Sequence, residues 1–319
     1  EISYAKELSA EIGIKNYSKV ITPEEYWSAF GTIQYHMDTP LADPSIVPLY
    51  YLAKEASKQV KVVFSGEGAD ELFGGYNIYR EPLEYTGFNK VPLFLRKGMA
   101  KIAECFPDVK GSSFLIRHSK SLEERYIGNA NIFSEKEKKK VLKAPVKSNN
   151  MAITAPIFAK VKDKDPVNKM QFVDINLWLV NDILLKADKM GMANSLEIRV
   201  PYLDKEVMKV AATLPLSARV SGETTKKAFR QAALKVLPPK TATKKKLGFP
   251  TPIKVWLQED KYYNIVKEKF NSDVAKQYFN TDYLNKILDK CKNNKGNYAR
   301  RVWTVYTFLV WYDEYFVKR

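Results

Sequence analysis

An α/β fold, predominantly helical and built on a parallel sheet, is what this sequence of 319 residues predicts. Three observations carry the prediction. Val60, Val62, Val63 and Phe64 form a β-rich apolar run that stops at Ser65 and Gly66, as a buried parallel strand ends in a glycine turn. A helix-strand-helix order leads up to that run, and a short helix over Ala69–Phe73, closed by Gly74 and Gly75, follows it. Beyond this unit the chain turns helical, with its longest helical tract at residues 170–195 and an apolar, periodic tail.

In chain order, residues 3–12 place Tyr4, Leu8 and Ile12 at helical spacing and end at Gly13, a glycine suited to helix termination. Residues 16–22 offer Tyr17, Val20 and Ile21 as a candidate strand. Thr22 then reads as an N-cap, with Pro23 at the first helical position, opening a helix that runs to about Tyr35. Pro40 and Pro44 make the next residues a connection, because the residue before a proline avoids the helical region. Ser45 is the better cap for the helix that follows, whose Leu49, Leu52, Ala53 and Ala56 share one face. The strand at Val60 comes next, and residues 79–150 read as irregular and basic. Within them SEKEKKKVLK, from Ser134, is a capped, exposed helix start with opposite charges at helical spacing.

The tract at 170–195 is uninterrupted and presents Trp178, Leu179, Ile183, Leu184, Ala187 and Met190 as a wide apolar face. Asp182, Lys186 and Asp188 break that face, and buried charges must be paired or bound to ligand. Glu197 and Arg199, two apart in an extended segment before Pro201, suit a structural pair. A helix over residues 224–237 ends at Pro238 and Pro239. In the tail Val302, Val305, Tyr306, Leu309 and Val310 repeat at helical spacing, which makes it a docking helix.

Composition narrows the classes. A 45% hydrophobic content over this length is enough for a sizeable core. No run of 18 apolar residues exists, which argues against a membrane partner. Cys105 and Cys291, isolated and without metal-ligand spacing, read as packing residues in a reducing, cytoplasmic setting. The formal charge of +16 allows an anionic partner or a lysine-rich surface. A nucleic-acid patch would interleave aromatics for stacking, and the lysine run near 138 has none, which argues against nucleic acid. The opening EISYAKEL has neither an initiator Met nor a signal pattern and reads as the interior of a longer protein.

The chemistry concentrates at the glycine turn. Glu67, Asp70 and Glu71 would stand at the carboxyl end of a parallel strand, where open α/β sheets bind ligands. Carboxylates repel a bare phosphate, and the Lys and Ser/Thr of a Walker loop are missing, so the turn suits a metal-nucleotide or a carboxylate acting as base. A capped helix whose acids favour the positive end of its dipole accounts equally for the spacing.

SGEGADELFGGY at residues 65–76 resembles the signature of the synthetase half of glutamine-dependent asparagine synthetases, a family similar in turn to the β-lactam synthetases. TPLADPSIVPLYYLA from Thr39, LLKADKMGMANSLEIRVPYLD from Leu184 and KKKLGFPTPI from Lys244 resemble further stretches of that family, in the same order. The resemblance implies an adenine-nucleotide alpha-hydrolase-like sheet of the ATP-pyrophosphatase type, truncated at its start, with residues 1–90 as the nucleotide-binding part and 91–319 as a mainly helical part. It implies ATP and Mg²⁺, with aspartate adenylated on its β-carboxylate and ammonia from glutamine displacing AMP to give asparagine. On that reading Ser65 and Gly66 touch the nucleotide, Asp70 holds Mg²⁺, Glu67 takes a proton from ammonia, Lys246 faces the phosphate and Asp182 meets the substrate.

The family's Thr-x-x-Arg loop falls at Thr39 to Asp43, where the arginine is absent. An arginine is the natural clamp for a substrate carboxylate. Its absence keeps a second acceptor, such as diaminopimelate, as the alternative within the family, and a basic nucleic-acid-binding protein that has kept only the fold as the alternative outside it. The glutaminase domain and the SGGxDS-type pyrophosphate loop of the family do not occur in the sequence. A first strand missing beside residues 60–64 would leave a sheet edge open to self-association, which points to a homodimer.

Overall fold

Local stop and start signals set most of the helices. The computed structural model describes residues 2–106, 109, 111–128, 131–144, 149–244, 248 and 251–318. Helix α1 (Ile2–Glu11) ends before Gly13, whose φ of 72° is the left-handed conformation that glycine adopts without strain. The expected strand at 16–22 does not form. Among the described residues its backbone finds no partner strand, and Tyr17 and Val20 stay exposed.

Helix α2 (Pro23–Met37) begins as its sequence predicts, with Thr22 and Glu25 forming a reciprocal capping box that satisfies two orphan N–H groups. Helix α3 (Ile46–Ala56) starts after Ser45, although the Ser45 hydroxyl caps nothing and its N–H donates instead to Asp43 at 2.9 Å. The buried face of α3 is Ile46, Val47 and Ala53, and the expected Leu52 is exposed.

Strand β1 (Val62–Phe64) pairs in parallel with β2 (Glu197–Arg199), with Val63 opposite Ile198. The segment read as merely extended is therefore the partner strand. The fold is predominantly helical with a small parallel sheet, consistent with the α/β class. The strand is not buried on both faces, however. Side chains alternate along a strand, so Val63 turns inward while Val62 and Phe64 face out, Phe64 with 76% of its surface exposed.

Helix α4 (Ala69–Phe73) follows, and Gly74 at φ 72° ends it by donating its N–H to the Asp70 carbonyl. The tract at 170–195 is not one helix. It comprises Pro166–Asn176, capped by Asp165, a π-helical segment Leu179–Leu184, and Leu185–Met192. The expected face is kept, with Leu179, Ile183, Ala187 and Met190 buried; Asp182 and Lys186 are buried beside them, whereas Asp188 lies on the exposed side.

Residues 79–150 carry more structure than their composition suggested, in short helices such as Leu93–Cys105 and Ser112–His118, which lie against each other. The Ser134 start forms a full capping box. Cys291 is buried, and burial pushes its thiol up to about 11, but Cys105 is exposed. The helix expected at 224–237 shrinks to Lys227–Ala233 because Thr225 pairs with Val220 in an antiparallel bridge.

The largest core is aromatic. Trp303, on the helix Ala299–Tyr312, meets Phe30 at 4.6 Å, Trp27 at 5.7 Å and Tyr26 at 5.8 Å between ring centroids, pinning the tail to α2. All five periodic residues of that tail are buried. A second core joins Tyr79, Tyr126, Phe158 and Met170, and a small third one underlies α4. No helix among the described residues is long and apolar enough to cross a membrane.

Candidate functional site

The glycine turn is built by the end of the sheet. Ser65 donates its N–H to the Arg199 carbonyl at 2.8 Å, extending the ladder one step past Phe64 before the chain leaves the sheet at Gly66. Gly68 has φ 87°, and a Cβ there would lie 2.3 Å from Leu203 Cδ2, so the turn presses against the short helix Pro201–Leu203. Glu67 stands on this turn, half-buried, and Asp70 follows in the first turn of α4.

Asp70 is ion-paired. Its Oδ1 lies 2.9 Å from Lys226 Nζ, both side chains largely screened from solvent. The approach requires glycine at 75, where a Cβ would stand 1.8 Å from that same oxygen. Lys226 itself takes φ 54° just before its helix, an uncommon conformation for a residue with a side chain. Sequence reasoning missed this lysine because nothing in its local pattern separates it from the many others; the glycine pair after α4 was the only local sign that something must approach. Lys246, the lysine expected to face phosphate, lies outside the described residues.

The three acids of the turn have separate environments. Glu71 points away from the sheet end into the core, where Oε1 accepts from the Tyr76 hydroxyl at 2.5 Å and that hydroxyl accepts from Trp178 Nε1 at 3.2 Å. Burial raises its carboxyl above the ordinary range. Glu71 is thus held in the core, whereas Glu67 and Asp70 stay at the sheet end.

Asp182 belongs to another cluster. Lys186 Nζ lies 3.0 Å from Asp182 Oδ1 and also binds Asp43. Burial raises Asp182, whereas at Asp43 burial is more than offset by Lys186 and the Ser45 hydrogen bonds together, and the carboxyl is held low. The pairing meets the requirement for buried charge. Asp182 also forms part of the wall of a cavity of about 830 Å³, beside Trp178, Asn181 and Phe279. The pair Glu197 and Arg199 forms as expected, at 2.8 Å, but both side chains are exposed, so its contribution is small.

Behind α4, Asp174 is fully buried and its Oδ2 accepts from the hydroxyls of Tyr79 and Tyr126. Burial lifts its carboxyl from 3.8 to about 6. A raised carboxyl favours the folded state below its unfolded value and loses that advantage as pH rises through the folded one. Asp174→Asn should therefore gain stability relative to the wild type between about pH 4 and 6, by on the order of 3 kcal/mol, and hold that gain above pH 6. Parallel urea titrations of the two proteins across this range check it; a difference independent of pH would contradict it.

Among the described residues there is no cluster of three or more His, Cys, Asp or Glu side chains able to hold a metal alone. Mg²⁺ does not need one. It keeps several waters and is held through one or two carboxylates together with substrate phosphates, and Asp70 is the carboxylate of the turn that would serve.

The family model described as asparagine synthase matches residues 1–313. The chain belongs to the asparagine synthase family. It is 45% identical over 326 aligned residues to asparagine synthetase [glutamine-hydrolyzing] 1 of Bacillus subtilis, covering 100% of this chain and 51% of the relative. A putative asparagine synthetase [glutamine-hydrolyzing] of Mycobacterium tuberculosis is 42% identical over 314 residues, 98% of this chain and 48% of the relative. A putative asparagine synthetase [glutamine-hydrolyzing] 1 of Methanocaldococcus jannaschii is 26% identical over 224 residues, 69% of this chain and 27% of the relative. The chain spans about half the length of the first two relatives. The asparagine synthase match runs through all four sequence stretches that first suggested it.

Proposed function

We propose that the protein is an ATP-dependent ligase that makes asparagine. ATP adenylates the β-carboxylate of aspartate with release of pyrophosphate, and ammonia derived from glutamine then attacks the acyl carbon and displaces AMP. The observation that carries this reading is the 45% identity, along the whole of this chain, to a relative named for glutamine-hydrolysing asparagine synthesis.

The chemistry suits the turn. A carboxylate is a poor electrophile until one of its oxygens becomes part of a leaving group, and adenylation does that. Ser65 and Gly66, at the end of β1, would contact the nucleotide through hydroxyl and backbone, as ligands sit at the carboxyl ends of strands in an adenine-nucleotide alpha-hydrolase-like sheet. Asp70 would hold Mg²⁺, which when bound neutralises polyphosphate charge. Glu67 takes a proton from the attacking ammonia. Lys226, already beside Asp70, and Lys246 supply positive charge where phosphate charge develops. Asp182 would meet the acceptor from the cavity wall that it shares with Trp178 and Asn181. The reaction would run in the cytoplasm, and the outward Val62 and Phe64 would offer an apolar surface for self-association as a homodimer.

The test is acceptor choice in the intact protein. With Mg²⁺-ATP and ammonia, AMP and an amide should form with aspartate at least about tenfold faster than with glutamate or diaminopimelate, the discrimination a well-fitted polar site readily supplies. Faster AMP formation with diaminopimelate would overturn the assignment.

A further inference from the structure

Helix α4 carries Asp70 and extends the turn that carries Glu67, yet it has only five residues. A helix this short does not hold itself, so its position is set from outside. Its carbonyls at Glu71 and Leu72 lie in the last turn, where an α-helix leaves acceptors without intrahelical donors. Both are taken by one side chain: Gln171 Nε2 donates to the Glu71 carbonyl at 2.6 Å and to the Leu72 carbonyl at 3.2 Å.

The Gln171 amide has a defined direction. Arg219 Nη1 donates to Gln171 Oε1 at 2.7 Å, and a guanidinium can only donate, so the amide oxygen must face Arg219 and the amide nitrogen must face α4. Gln171 and Arg219 are both buried. Arg219 and Val220 also press against the helix end, since a Cβ on Gly74 would meet Val220 Cγ2 at 2.6 Å. Val220 is bridged to Thr225, and the next residue, Lys226, reaches Asp70. One hairpin therefore acts on both ends of α4, through Arg219 and Gln171 at the end of the helix and through Lys226 at its start.

We propose that Gln171, oriented by Arg219, is the positioning residue that sets where Glu67 and Asp70 stand. It touches no reacting atom. Its effect is geometric: when its amide is lost, the end of α4 is released from the helix Pro166–Asn176, and the turn at the other end shifts with it. A misplacement of about 1 Å in a catalytic group costs on the order of 10²-fold. This inference rests on the asparagine-forming reading for its activity measurement but not for its binding measurement.

The experiment uses the intact protein with Gln171→Met, which keeps bulk and removes the amide, and with Tyr126→Phe, which removes the buried hydrogen bond that Tyr126 donates to Asp174, on the same helix as Gln171, without touching α4. Gln171→Met should lower kcat/KM for Mg²⁺-ATP by about 10- to 100-fold, whereas Tyr126→Phe stays within about twofold of the wild type even though both variants lose thermal stability. Arg219→Lys, which keeps a donor, should recover activity that Arg219→Met loses; this pair gives the same readout if Gln171→Met does not fold. Wild-type kinetics in a folded Gln171→Met, or equal kinetic losses in Tyr126→Phe, would overturn the proposal. If the wild type binds Mg²⁺-ATP but forms no asparagine, the functional reading fails, and Mg²⁺-ATP affinity measured by calorimetry still decides the role of Gln171: weakened binding in Gln171→Met alone supports it, and unchanged binding overturns it.

Discussion

Glu67→Gln should reduce amide formation by about 10²–10⁴-fold, the range typical for loss of a general base, while changing stability by no more than about 1 kcal/mol. Glu67 lies on a turn outside the apolar cores, so the substitution removes a charge without opening a cavity. The glutamine side chain keeps the shape and a hydrogen-bonding oxygen but cannot take a proton from attacking ammonia. Initial rates with saturating ammonia, which bypass glutamine hydrolysis, check the prediction. Turnover like that of the wild type would assign Glu67 to the structure of the turn.

Asp70→Asn separates metal binding from nucleotide binding. The carboxylate faces Lys226 at 2.9 Å, and the amide would keep its size while losing its charge. Affinity for Mg²⁺-ATP should fall on the order of 10²-fold, because the site loses its only proposed metal ligand, whereas affinity for AMP should change by less than about threefold. Titration calorimetry with each nucleotide reads the two directly. Equal losses would make Asp70 a cap acid of α4 and transfer the metal to other groups.

Much of this site was legible in the sequence because it depends on local signals. Gly74 and Gly75 mark the end of α4, and the apolar run ending at Ser65 marks the strand. The capping boxes at Thr22 and Ser134 are equally local, and the helical repeat from Val302 to Val310 identified the face that is buried. Contacts between distant segments were not legible. The pairing of β1 with Glu197–Arg199, the ion pair from Asp70 to Lys226 and the grip of Gln171 on α4 each join parts of the chain that carry no shared local pattern. The break at Leu177, where the backbone leaves helical dihedrals at φ −120° and ψ −66°, was hidden because no proline or glycine marks it. The strand misread at 16–22 shows the converse: a β-prone composition makes no strand without an edge to pair with.

At the turn carrying Glu67 and Asp70 the acceptor carboxylate would be activated as an acyl adenylate. Aspartate labelled with ¹⁸O in its β-carboxylate tests it most directly. Adenylation makes one of those oxygens the bridge to the α-phosphorus, and attack by ammonia on the carbon leaves that oxygen on AMP. Mass spectrometry of the products should show one ¹⁸O in AMP and one in the asparagine amide carbonyl. Unlabelled AMP, or label in orthophosphate formed together with ADP, would contradict the account.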